Sequence, residues 1–154
     1  MGIKMTTPLS ALQSTISDAI DDQRTAMIER LRLVGEKAVN VARGYTGKQY
    51  TDRSKNLRSS TGFIVVVDGM IYGVGGFVPC GKGTGGDGVE GCEIGKSYAE
   101  ELAAKFPQGI ALIVVAGMEY AAFVQKKGYN VLIEAEDFAI NEVAKLLKTI
   151  QQEW

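Results

Sequence analysis

The sequence predicts an α+β domain, a mainly antiparallel sheet with helices packed against it. Three observations carry this: a long N-terminal stretch with apolar residues at helical spacing, two β-rich runs around an Asp-Gly dipeptide, and a second amphipathic periodicity closing the chain. With 154 residues, 45% apolar and 23% charged, residues 1–154 suffice for one domain with a real core and leave little for a second.

In the first element Leu9, Leu12, Ile16, Ile20, Met27, Leu31, Val34, Ala38 and Val41 recur at steps of three, four and seven, which places them on one face of a helix. Pro8 suits a helix start, Asp18, Asp21 and Asp22 lie in the first half, and Gly44 reads as a stop, so the helix is expected over 9–43. Unbroken, it would run roughly 50 Å, against a radius of gyration of about 15 Å for a domain of this size. Such a helix overhangs its own domain. It must break, at residues 18–23 or at Gly35, or else protrude and pack on another copy or another protein; protrusion with a bend is expected.

Residues 45–58 carry Lys48, Arg53, Lys55 and Arg58 against Asp52 alone, a loop that reads as a solvated connector or as a docking segment for an acidic surface. Phe63 to Val67, Asp68-Gly69 and Met70 to Val74 then spell a hairpin, because Asp-Gly tolerates the positive φ of its turn. The first strand does not alternate with polar residues, so both its faces should be covered. Fully burying each such side chain contributes roughly 1.5 to 3 kcal/mol.

Ten of the nineteen glycines fall between Gly73 and Gly95, and a long flexible arm is expected over 75–95. A short amphipathic helix over 96–106, closed by Pro107 and Gly109, and an apolar strand over 110–116 follow. Periodicity leaves residues 118–125 open between strand and helical turn. From Ile133 onward a final helix is expected, with Glu134, Glu136 and Asp137 early and Lys145 and Lys148 late, as the helix dipole prefers.

Seventeen Lys and Arg against eighteen Asp and Glu give a formal charge of −1, so no strong phosphate attraction is expected and sequence-specific nucleic-acid binding drops in rank. There is no histidine, which removes Ser-His-Asp and Cys-His pairs and nearly every nitrogen-ligand metal site. Cys80 and Cys92 cannot complete a zinc site alone; they could close the arm as a disulfide but are expected as free thiols. The N-terminus lacks the apolar region of a signal peptide and no run is long enough to span a membrane, so the chain is expected in the cytosol with no membrane partner. Met1-Gly2 with Thr6 fits a short acylation pattern that matters only in a eukaryotic host.

Gly91-Cys-Glu-Ile-Gly95-Lys96-Ser97 resembles the end of a phosphate-binding loop, yet Glu90 stands where that pattern needs its first glycine. Gly81-Lys-Gly83-Thr-Gly85-Gly86 has the letters of a dinucleotide fingerprint but does not open a helix. The pairs Glu100-Glu101 and Glu134-Glu136 read as solvated surface charge. No catalytic residue, metal or cofactor is expected, and the chain is read as no enzyme.

Tyr50-Thr-Asp52-Arg-Ser-Lys-Asn56-Leu57-Arg58-Ser59-Ser60-Thr-Gly62, a Val-rich strand, and later Gly117-Met-Glu-Tyr120-Ala121-Ala-Phe123-Val124 resemble the phage gp10-like family of head-tail connector and tail-completion proteins, in order and in spacing. Members commonly show Asp-Thr-Gly-x-Leu-Arg-x-Ser after a long N-terminal helix and Tyr-Ala-x-Tyr-Val-Glu later. Here Ser54-Lys55 stands for Thr-Gly, Phe123 for Tyr and Gln125 for Glu, and the glycine-rich arm replaces a shorter connection.

The resemblance implies a structural virion component of a tailed phage or prophage, assembled in the bacterial host cytoplasm. It implies a subunit that self-associates as a ring, a hexamer among the expected closures, and meets other neck or tail proteins. A tail-tube terminator or minor tail protein is the alternative within the same virion. From other classes come a phosphate-ligand or nucleotide-binding protein using Gly95-Lys96-Ser97 and a ring-forming adaptor unrelated to phage. On the connector reading Asn56, Leu57, Arg58, Tyr120 and Phe123 are the expected interface residues, with Leu57 in the core, Arg58 on an interface carboxylate and Asn56-Leu57-Arg58 fixing the approach to the hairpin.

Overall fold

The structure is a computed structural model that describes residues 2, 4, 6–44, 47 and 49–153. Met1 of the acylation pattern and Lys48 of the basic segment lie outside the described residues. Among the described residues five helices and three strands follow in the order α1 (Leu9–Gly44), α2 (Asn56–Ser59), β1 (Thr61–Val67), β2 (Met70–Gly75), α3 (Val89–Ala103), β3 (Ile110–Ala116), α4 (Ala121–Lys126) and α5 (Ile133–Glu153). The strands form one antiparallel sheet in the order β2-β1-β3. The α+β class predicted from the sequence is therefore the observed one.

The two-residue turn Asp68-Gly69, with φ of 50° and 81°, sets Val67 opposite Met70 and pins the β1–β2 register. Farther from the turn the pairing shifts between Val65 and Val66, leaving Tyr72 of β2 as the extra residue of a bulge. Asp68 also receives the Gly109 N–H at 2.8 Å and forms an ion pair with Arg24. One side chain thus ties the hairpin tip to α1 and to the start of β3.

Every residue of β1 is buried, and the layers explain why. Phe63, Val65 and Val67 face α1, packing with Ile28, Leu31 and Val39 and with Val143 of α5. Ile64 and Val66 face α3, packing with Ala99 and Ala103 and with Val115 of β3. A strand covered on both faces is what an unalternating apolar run requires.

The helix α1 runs without interruption through the stretch 18–23 and through Gly35, the two places that the alternative of a broken helix named, and it protrudes as expected. Gly35 serves packing: a Cβ there would stand 2.5 Å from Cγ of Phe63, so the absent side chain admits the ring. Only the second half of α1 meets the core, its buried residues beginning at Ile28. Residues 9–26 are exposed throughout.

The flexible arm expected over 75–95 ends instead at Gly88, and α3 starts seven residues before the predicted position 96. Gly91, Gly95, Ala99 and Ala103 recur every fourth residue as the buried stripe of α3. A Cβ on Gly91 would stand 2.6 Å from Cα of Asn56, and one on Gly95 2.7 Å from Cα of Ser60. Helix propensity disfavours glycine by about 1 kcal/mol, but here only glycine lets α3 lie against the backbone of α2. The remaining loop, 76–88, is fastened down. Gly85 N–H bonds to Arg53 O at 2.9 Å, Cys80 N–H to Ser59 Oγ at 2.9 Å, and Phe77 packs against the α3-side core. The segment that periodicity left open, 118–125, forms the short helix α4.

Candidate functional site

The segment 49–61 folds into a tight elbow that leads into β1. Lys55 takes a left-handed conformation, φ 63°, just before the single turn of α2. The turn closes through Ser59 N–H to Lys55 O at 3.0 Å and Ser60 N–H to Asn56 O at 2.8 Å. Short polar side chains supply the remaining bonds: Asp52 Oδ2 accepts the Arg58 N–H at 2.9 Å, and Ser54 Oγ accepts the Asn56 N–H at 3.3 Å. The hydroxyls of Ser60 and Thr61 both donate to Leu57 O, at 2.8 and 3.2 Å.

The expected interface residues divide into a buried and an exposed set. Leu57 is 1% exposed and packs with Ala121 and Val131, with Tyr50 and Met118 against them. Asn56 is buried and donates from Nδ2 to Glu90 Oε2 at 2.9 Å, joining α2 to the first turn of α3. Arg58 has its partners inside the chain: Nη2 donates to Gln49 Oε1 at 2.8 Å, and the guanidinium carbon lies 5.6 Å from the centroid of the Tyr50 ring. Within the chain, then, the Arg58 side chain meets an amide and an aromatic face, while the nearby carboxylate of Asp52 takes its backbone N–H. Burial pushes the Tyr50 phenol up to about 12, with Arg58 opposing.

Tyr120, at the start of α4, and Phe123 form the exposed set. Burial raises the Tyr120 phenol pKa, and the Ser54 side chain of the elbow works against that rise. Phe123 is 59% exposed and carries Lys127 Nζ 4.4 Å above its ring. The two sequence segments that carried the resemblance, far apart in the chain, thus meet at one end of the fold.

Sequence reasoning missed Arg43. From the last turn of α1 its Nε donates to Arg58 O at 3.2 Å, and its Nη2 donates to Thr61 O at 2.9 Å and to Gly76 O. One half-buried guanidinium therefore holds the elbow, the start of β1 and the end of β2 together. A basic residue in a final helical turn is too common for its spacing to announce that role.

Chemically the surroundings are quiet. Cys80 and Cys92 are free thiols, and burial raises the Cys92 pKa, so it stays protonated and weakly nucleophilic at neutral pH. Glu100, Glu101, Glu134 and Glu136 are exposed on α3 and α5. Gly95, Lys96 and Ser97 lie inside α3, beyond its first turn, where backbone N–H groups are already bonded within the helix. The start of α3 holds the Asp87 carboxylate, which accepts the Val89 N–H at 3.1 Å, and Glu90 follows. Two acids there repel a phosphate. Among the described residues no group of three His, Cys, Asp or Glu side chains is placed to hold a metal, and no helix is long and apolar enough to cross a membrane.

The overhang of α1 is exposed along its whole length. Leu9, Leu12, Ile16 and Ile20 are 40–61% exposed. Wound at 3.6 residues per turn, they fall on the same face as Met27, Leu31, Val34 and Ala38. The stripe that builds the core thus continues outward, with nothing against it among the described residues. Comparison of the chain with family models, with curated proteins and with solved structures finds no match.

Proposed function

We propose that this chain is a structural, non-enzymatic subunit of a tailed phage or prophage virion, joining or completing the head-tail interface as a ring of identical copies. The observation that carries the reading is the overhang: residues 9–26 are exposed and bear an apolar stripe collinear with the core. A monomeric domain that worked alone would leave Leu12, Ile16 and Ile20 in water, each forgoing as much as about 1.5–3 kcal/mol of burial. A subunit that functions between neighbours recovers that energy on assembly.

The elbow supports the same reading from the sequence side. The segment that resembles the connector signature, residues 50–62, is tied to α1 and α3 through Arg43 and Glu90 and packs on α4 through Leu57 and Ala121, so it fixes the direction in which the hairpin leaves α2. The exposed Tyr120 and Phe123 beside it offer an aromatic rim of the kind enriched in interfaces.

Negative-stain microscopy of the purified protein mixed with tail tubes, and separately with filled tailless heads, tests the reading. Density at the tube end or at the head vertex is expected. Decoration at the tube end alone assigns the terminator role. Tubes and heads that both remain bare overturn the virion assignment.

A further inference from the structure

We infer that residues 9–20 of one copy dock, as a helix, in an apolar groove on a second copy. The inference rests on the self-association in the proposed function and is independent of which virion part the assembly meets.

The groove encloses about 490 Å³ between α1, β3 and α5, a size that takes a small ligand or several side chains. Met27 and Leu31 form one wall, Ile110 and Leu112 the floor, and Ile140 and Leu147 the other wall. Its floor is the edge of the sheet, since among the described residues β3 has β1 on one side and no strand on the other. Ile140 and Leu147 are 59% and 50% exposed, so no described residue closes it.

The chain cannot fill this groove with its own overhang. Because α1 is one unbroken helix, Ile16 stands about 16 Å along the axis from Met27, at about 1.5 Å per residue. The overhang and the groove each need a second molecule, and one copy supplies what the other lacks.

Spacing and continuity point to the same occupant. Leu12, Ile16 and Ile20 form a ridge at four-residue steps, the element that packs into a groove between helices. The groove begins at Met27, where the same stripe of α1 passes from overhang to core, so antiparallel copies extend one apolar track across both molecules. The charged residues from Leu9 to Gln23 are Asp18, Asp21 and Asp22; at 3.6 residues per turn they lie away from the stripe, so they stay hydrated while the apolar ridge is buried. Made head-to-tail this contact closes a ring, and made reciprocally it closes a pair.

Disulfide trapping tests the contact. In a Cys80→Ser, Cys92→Ser background, chains carrying Ile16→Cys are mixed with chains carrying Ile140→Cys and mildly oxidised. Both substituted side chains are more than half exposed, so the fold tolerates them. A covalent product with one chain of each kind, in several-fold excess over like-with-like products, is expected. Predominant linkage of Ile16→Cys chains to one another, or no linkage, overturns the docking. Light scattering supplies a second arm: the unaltered protein is expected as more than one copy, and Ile16→Glu with Ile20→Glu is expected to lower the mass to one chain at unchanged helix content. A multi-copy mass retained by that variant overturns the docking and leaves self-association standing. A single-chain mass for the unaltered protein also overturns it, while the microscopy of tubes and heads judges the virion role separately.

Discussion

The ring of Phe63 occupies the space that a side chain on Gly35 would take, with its Cγ 2.5 Å from where that Cβ would stand. Phe63 is fully buried, and a Cβ on Gly75 would meet its opposite edge, 2.5 Å from Cε1. Two glycines from α1 and β2 therefore form a slot for one aromatic ring, and the ring cannot retreat from either. Gly35→Ala gains about 1 kcal/mol of helix propensity but meets an overpacking cost of about 1–3 kcal/mol. Net destabilisation of up to about 2 kcal/mol in urea unfolding is expected, despite a substitution that favours helix.

Gly95 poses a harder constraint because its neighbours are backbone. A Cβ there would overlap Ser60, and Gly117 lies against the same spot from the other side. Gly95→Ala should destabilise by about 3 kcal/mol or more, since α3 must shift as a body. Gly44→Ala is the control: nothing lies within 4 Å of its Cβ position, and a change within about 0.5 kcal/mol is expected in the same unfolding assay.

The elbow predicts an asymmetry between adjacent residues. Leu57→Ala removes a side chain that is 1% exposed and should cost about 2–5 kcal/mol. Arg58→Ala keeps the bonds from its N–H to Asp52 and from Arg43 to its carbonyl, because both are made by the backbone. It gives up only a half-exposed contact with Gln49 and Tyr50 and should cost about 1 kcal/mol or less. Thermal unfolding of the two variants side by side reads the difference.

Tyr50 sets an alkaline limit. Its phenol is raised from 10 to about 12 in the folded chain, chiefly by burial. Folding thus favours the protonated form, so the stability it contributes is complete below about pH 10 and is lost as pH rises through about 12. Tyr50→Phe keeps the ring and removes the ionisation. The variant should lose less stability than the unaltered protein over that interval, measured by urea unfolding at each pH; equal losses would remove Tyr50 as the cause.

Much of the fold was legible in the sequence wherever one local signal and one long-range need agreed. The hairpin was readable because Asp68-Gly69 supplies a turn and Phe63 to Val67 supplies a strand without polar alternation, and the sheet then covers that strand on both faces. The helix α1 was readable from its stripe, overhang included. The glycine-rich stretch was misread because Gly91 and Gly95 are poor helix formers taken alone, and the reason they stand in α3 is a close approach to Asn56 and Ser60 that no local pattern encodes. At the elbow the burial of Leu57 was legible, and the partners were not: Glu90 lies 34 residues from Asn56, and the carbonyls held by Arg43 have no side-chain signature.

The most direct measurement is negative-stain imaging of the purified protein incubated with tail tubes and with filled, tailless heads. The account predicts annular density seated at the end of the tube or on the head vertex. Uncapped tubes and bare vertices, with the protein remaining apart as scattered single subunits, would contradict it.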